Sequence, residues 1–266
     1  VPSHRHALEM FARLGYAARG AVSLIIGSLA LLAAVGPGGQ ATGSKGALRE
    51  LLLHPFGGVL LGVVGLGLFG FALWRALQGL LDADNHGHGA KALAIRGGAL
   101  ISAVAYTGLG ISAFGLLLGR GGGGGGDDQS AQDWTRWLLA KPAGEVLVAL
   151  IGLIVMGVGV AMLARGWRAS FTRHLRCPAE ASHWVVPLGR LGFAARGVVF
   201  LIIGLFLVVA AWQSDPQEVR GLGSALLALQ AQPFGRVLFG VVALGLAAFG
   251  AFEFAEARYR RIDAPG

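Results

Sequence analysis

Six stretches of this chain run for about twenty residues with few or no charges, the length a helix needs to cross a hydrocarbon core of about 30 Å at about 1.5 Å per residue. They are Leu14 to Val35, Phe56 to Trp74, Gly97 to Leu118, Ala143 to Ala164, Leu191 to Trp212 and Phe234 to Phe252. Lipid offers no water to backbone N–H and C=O groups, so each stretch must satisfy its own as a helix. The expected fold is therefore an all-α integral membrane protein with six transmembrane helices. Only 14% of the residues are charged, against about a quarter in soluble domains. No segment between the spans is long enough to form a second, soluble domain.

The spans are copies of one another. Residues 13–34 laid on 190–211 give 14 identities in 22 positions, including "AARG" and "LIIG". The spans that follow, "PFGGVLLGVVGLGLFGF" from Pro55 and "PFGRVLFGVVALGLAAF" from Pro233, share 12 of 17. A more diverged copy lies between them. It has Arg96, Gly98 and Gly110 where the first has Arg13, Gly15 and Gly27, and Pro142 and Gly144 where the first has Pro55 and Gly57. The chain thus divides into three two-helix units, residues 1–82, 91–172 and 187–262, within one membrane domain. An even number of crossings per unit makes them parallel repeats, which predicts pseudo-threefold symmetry about the membrane normal. The outer loop of each unit holds a short amphipathic piece ending in proline: "GALRELLLHP", "WTRWLLAKPAG" or "SALLALQAQPFG". These pieces are expected to lie flat in the outer interface with Trp134 and Trp137 as anchors, and each proline is expected to start the second span.

The motifs "ARGAVSLIIG", "ARGVVFLIIG" and the two "PFG" helix starts resemble the bacterial membrane family known as domain-of-unknown-function 1206. That family is described as three tandem pairs of transmembrane helices. The likeness covers nearly the whole chain. The middle unit departs from it, with Ser102 in place of Arg19 and Arg196, and Ala143 in place of Phe56 and Phe234. The resemblance implies an architecture and a bacterial inner (cytoplasmic) membrane, and it supplies no activity.

A net charge of +8 would raise nucleic acid as a partner of a soluble protein. In a membrane chain the distribution matters more. Thirteen lysines and arginines flank the spans on the side holding both termini, and seven lie on the other. By the positive-inside bias, both termini are cytoplasmic and the expected partner is the bilayer, with anionic lipid headgroups at the basic inner face and no nucleic acid. His4, Arg5 and His6 before the first span fit a secretory signal, but the copy at residue 190 argues against cleavage.

Two arginines recur inside spans. Arg19 and Arg196 lie about five residues past the inner end, roughly 8 Å deep, within reach of the interface for a snorkelling side chain. One reading makes them interfacial anchors that also donate to backbone carbonyls of a neighbouring helix. The sharper reading has Arg19, Ser102 and Arg196 converge on the axis and line a positively charged vestibule for an anionic ligand or lipid headgroup, with Glu253 as counter-ion. Gly20 with Gly27, and Gly58 with Gly62, are expected to allow close helix contact, and Ser23, Ser28, Thr107 and Ser112 to hydrogen-bond across helices.

Other motifs fall away. "GLGLFG", Gly65 to Gly70, has the dinucleotide pattern without the strand before it. "GPGGQATGSK" puts serine where a phosphate loop needs lysine. "DADNHGHGAK", residues 82–91 with His86 and His88, reads as a solvated turn, the run from Arg120 to Ser130 as a flexible tether, and Cys177 has no intrachain partner. The six stretches contain neither histidine nor aspartate. No metal site, cofactor or catalytic constellation is expected, so the chain reads as a non-enzymatic structural or binding protein. The alternative is a small channel or transporter with a path along the axis.

Overall fold

The computed structural model describes residues 2–35, 41–81, 89–120, 126–175 and 177–260. Among them the chain forms α1 (Pro2–Val35), α2 (Ser44–Leu53), α3 (Gly57–Leu81), α4 (Ala90–Leu117), α5 (Asp127–Leu139), α6 (Gly144–Arg168), α7 (Ala179–Gln213), α8 (Leu222–Gln230) and α9 (Gly235–Tyr259). Helices α1, α3, α4, α6, α7 and α9 are long and apolar enough to cross a membrane. The short α2, α5 and α8 sit together at the end of the bundle opposite the termini. The loop carrying His86 and His88 and most of the glycine run lie outside the described residues.

The long helices run past the apolar stretches at the terminal end. α3 continues from Trp74 through Arg75 and Gln78 to Leu81, and α9 continues through Glu253 and Glu256 to Tyr259. α7 already begins at Ala179 and absorbs Pro187. Hydropathy stops at the first charge, whereas the helix continues because those charges find partners inside the bundle.

The three prolines do not start the second spans. Each occupies the second position of a tight turn whose third residue is left-handed: Phe56 (φ 61°), Ala143 (φ 59°) and Phe234 (φ 58°). In each, the next N–H closes the turn: Gly57 to the His54 carbonyl at 2.8 Å, Gly144 to Lys141 at 2.9 Å, Gly235 to Gln232 at 2.7 Å. Proline at the second place and positive φ at the third are the marks of a type II turn. The glycine that follows admits the end of the short helix, since a Cβ on Gly57 would lie 2.5 Å from the Leu51 carbonyl oxygen. A left-handed non-glycine residue costs about 1–2 kcal/mol. The chain bears that three times, which makes the turn the constant element of the unit.

The short helices pack on the bundle by one face. Ala47, Leu48 and Leu51 of α2 and Leu226 of α8 are buried, while Trp134 and Trp137 of α5 remain exposed and meet edge to face at 5.5 Å. The amino end of α5 ties its neighbours in. Asp127 accepts the Lys45 N–H at 3.3 Å in the first turn of α2. Asp128 accepts the Gly221 N–H at 2.5 Å at the start of α8, and the Ser224 hydroxyl donates to its other oxygen. Two adjacent aspartates thereby supply acceptors to helix starts whose own cap residues are glycines without side chains.

Small residues set the long-helix contacts. Within the first and last units, Gly15 lies against Phe71 and Gly192 against Phe249, where a Cβ would sit 2.7 Å and 2.6 Å from the phenylalanine Cα. Between units, Gly250 of α9 meets Leu24 of α1, and Gly204 of α7 meets Gly152 of α6. Gly58 and Gly62, expected in this role, touch only the end of the Leu117 side chain at 3.7 Å, an ordinary contact. Thr107 and Ser112 bond the Ala103 and Gly108 carbonyls of their own helix, not a neighbour; Ser23 does reach across to α9.

The long helices pack in the order α4, α3, α1, α9, α7, α6, a horseshoe closed in its middle by α1 against α9. Its two ends, α4 and α6, belong to the middle unit and do not pack on each other as α1 does on α3 or α7 on α9. Gly98, the counterpart of Gly15 and Gly192, has no described atom within 4 Å of where a Cβ would stand.

Candidate functional site

Arg13 and Arg96, which hold the same place in the first and middle units, do different work from Arg19 and Arg196. Arg13 Nη1 donates to the Ala257 and Arg258 carbonyls at 2.8 and 2.7 Å, covering the end of α9. Arg96 does the same for α3, with Nε to the Gly79 carbonyl at 2.9 Å and Nη2 to Leu80 at 3.0 Å. A guanidinium at a helix carboxyl end satisfies orphan carbonyls and opposes the helix dipole. The carbonyl-binding anchor expected of Arg19 and Arg196 therefore belongs to Arg13 and Arg96.

Arg19 and Arg196 instead meet one carboxylate. Arg19 Nε is ion-paired with Glu253 Oε1, and Arg196 Nη1 lies 3.5 Å from the same oxygen. The Ser23 hydroxyl donates to Glu253 Oε2 at 2.8 Å. Glu253 is fully buried, and the arginine side chains are 14% and 22% exposed. Both guanidiniums also lie over aromatic rings. Arg19 is 5.0 Å from the centre of Phe71 and 5.5 Å from that of Phe249, while Arg196 is 4.6 Å from Phe249 and 5.7 Å from Phe200. Charge delocalised over a planar group suits such faces, which is one reason the residue is arginine and not lysine.

Ser102, the third candidate, does not join them. Its hydroxyl donates to the Gly98 carbonyl of its own helix at 2.8 Å. The side chain that α4 brings to this region is Tyr106, whose ring packs edge to face on Phe71 at 4.7 Å. Glu145, at the opposite end of the bundle, accepts a 2.5 Å bond from Ser214.

The arginines stand at one end of a cavity of about 200 Å³ that reaches Ser44 and Leu222 at the other. Its walls come from matching positions of the three units: Ile26, Leu109 and Ile203 form one layer, and Ser23, Tyr106 and Phe200 another. Between the arginines and Ser44 the lining is almost wholly apolar. A wider cleft of about 510 Å³ among α2, α5 and α8 is lined by Lys45, Arg49, Asp127, Asp128, Gln132 and Ser224, among others. Burial raises the Asp127 carboxyl above its ordinary value, and the Lys45 N–H and charge pull it partly back.

Arg75 escapes a reading based on repeated motifs, because the units differ at its position. Twenty residues after Pro55, Pro142 and Pro233 stand Arg75, Met162 and Glu253. Arg75 Nη1 donates to Gln78 at 3.2 Å and its guanidinium carbon lies 5.5 Å from the centre of Phe71. Aligning the second helices by their prolines, and asking where charge replaces charge, would have found it.

The sequence pattern of the family named Domain of Unknown Function 1206 (DUF1206) matches this chain three times, over residues 14–82, 97–169 and 191–260. The chain belongs to that family. Each match covers one helix pair, so the family's unit is the repeated hairpin, entered near Arg13, Arg96 and Arg190. A relative from Bacillus subtilis (strain 168), named uncharacterized protein YxxB, is 33% identical over 258 residues, covering 96% of this chain and 92% of the relative. No solved structure matches.

Proposed function

We propose that this DUF1206 protein sits in the bacterial cytoplasmic membrane with both termini inside and binds the acidic headgroup of an anionic lipid through Arg19 and Arg196, as a binding protein and not an enzyme. The observation that carries this reading is two guanidiniums sharing one carboxylate at the end of an intramembrane cavity. One positive charge is left over where lipid and apolar side chains surround it, and such a group gains most from an incoming anion. The excess of lysine and arginine on the terminal side supports the orientation. The matching layers around the cavity support a pseudo-threefold arrangement of the units. The apolar stretch between Arg19 and Ser44 weighs against a conducting path, which usually places polar groups at the midplane.

The test is binding of dioleoyl phosphatidylglycerol to protein in neutral detergent, read by native mass spectrometry. Truncating the arginines alone would leave Glu253 buried and unpaired, so all three residues are changed together, Arg19→Met, Arg196→Met and Glu253→Met. Replacing a whole buried ion cluster by apolar side chains is often neutral for stability, and the middle unit already carries Met162 at the glutamate position. Losing charge-assisted bonds of about 1.5–3 kcal/mol predicts at least about tenfold weaker binding. Unchanged binding in a folded variant would overturn the reading.

A further inference from the structure

We infer that the acidic ligand enters from the bilayer through the open side of the horseshoe, between α4 and α6, and leaves its acyl chain in that gap. This rests on the binding reading above and specifies it: the ligand is a chain-bearing bilayer amphiphile, not an anion arriving from water.

The size of the cavity is the first reason. Pockets that enclose a drug-sized ligand run from about 300 to 1,000 Å³, so one of about 200 Å³ holds a headgroup and leaves a chain outside. The chain must leave where no helix stands. On most of its circumference the cavity is backed by packed pairs, α3 with α1, α1 with α9, and α9 with α7. Its wall passes from Tyr106 and Leu109 of α4 to Phe200 and Ile203 of α7, and these two helices do not pack on each other. α6 packs on α7 but not on α4.

The end of the cavity away from the termini is closed. Ser44 and Leu222 bound the cavity there, and α2 and α8, which carry them, are held to α5 by Asp127 and Asp128. A soluble anion arriving from that end would have to break those bonds, while a lipid crosses only the gap.

The open side is also shaped for a chain. Gly98, Gly108 and Gly115 of α4 and Gly157 of α6 have no described atom within 4 Å of where a Cβ would stand. Ile101, Val104 and Ile111 of α4, with Ile154 of α6, are exposed beside them. In the other two units the space beside the matching glycine is taken by Phe71 or Phe249. The positive charge beyond the gap selects an acid, and the apolar gap selects what the acid is attached to.

The experiment compares dioleoyl phosphatidylglycerol with glycerol phosphate, the same headgroup without chains, on the full-length protein and on Gly108→Trp/Gly157→Trp. At both positions an added Cβ would meet no described atom within 4 Å. The unsubstituted protein should bind the lipid at least tenfold more tightly than glycerol phosphate, and the double tryptophan variant should lose that advantage. A variant that melts like the unsubstituted protein and keeps the full advantage overturns lateral entry while leaving the receptor reading intact. Lipid binding that ignores the Arg19/Arg196/Glu253 triple substitution overturns the receptor reading itself. If the glycine variant fails to fold, Ile101→Trp carries the same test, because its side chain is 73% exposed on that face.

Discussion

Gly15, Gly98 and Gly192 hold the same place in three copies of one phrase, yet alanine at the three should act with opposite signs. At Gly192 a Cβ would stand 2.6 Å from Phe249 Cα and 2.7 Å from its Cβ; at Gly15 the same atoms of Phe71 are both 2.7 Å away. Carbon atoms in good contact are about 3.5–4.0 Å apart, so the paired helices would have to part there by roughly 1 Å. Neither phenylalanine yields easily. Both are almost fully buried, and each packs edge to face on a second ring, Tyr16 or Phe193, as well as facing the Arg19 guanidinium. Overpacking of this kind costs about 1–3 kcal/mol. At Gly98 nothing described is within 4 Å, and alanine restricts the unfolded chain and favours the helix, stabilising by about 0.5–1 kcal/mol. Thermal melts of the three single variants in one detergent, followed by far-ultraviolet circular dichroism, should rank Gly98→Ala above the unsubstituted protein and the other two below it. Equal destabilisation by all three would mean that α4 and α6 close on each other like the other pairs, and the open horseshoe would be wrong.

Two further outcomes follow from the ends of the bundle. The folded-state pKa of Asp127 is raised, so between its ordinary value near 3.8 and the higher folded value the native state holds more protons than the unfolded one. Its contribution is therefore most favourable below the ordinary value and is lost as pH rises through the folded value. Asp127→Asn keeps an acceptor for the Lys45 N–H without the charge, so it should melt higher than the parent at pH 7 and lose part of the parent's pH dependence; a lower melting point at pH 7 would show that the charge itself stabilises the cap. Arg96→Gln removes the guanidinium from the Gly79 and Leu80 carbonyls, worth about 1–2 kcal/mol at a helix end. Amide exchange in the last turn of α3 should then quicken by about five- to thirtyfold, and unchanged exchange there would remove the capping role.

Much of the architecture is legible in the sequence because lipid permits so few solutions. Span number, helix type and the triplicate unit follow from apolar length and register alone. The helix ends are less legible, since Arg75, Gln78, Glu253 and Glu256 look like an exit into water until the bundle supplies partners for them. The turn is hidden for a local reason: proline suits both the first turn of a helix and the second place of a type II turn, and only the positive φ of Phe56, Ala143 and Phe234 decides between them. At the site, Glu253 could be named as a counter-ion from its depth. That Ser102 would bond its own helix, and that Arg13 and Arg96 rather than Arg19 would serve the carbonyls, depends on which way each side chain leaves its helix.

The differences between the units follow from what strict repetition would have done. Three identical hairpins around one cavity would place three arginines of the Arg19 type together in lipid, an arrangement of like charges without relief. Glu253 supplies the opposite sign at one second helix, and it sits where it can serve two arginines at once. The middle unit takes the other solution and discards charge at both places, with Ser102 on α4 and Met162 on α6. Those are the two helices that do not pack on each other. The last unit thus holds an ion pair across its own helices, the first has arginine at both places and shares the carboxylate of the last, and the middle unit has no charge at either place. That uncharged unit is the one that leaves the cavity open to the bilayer.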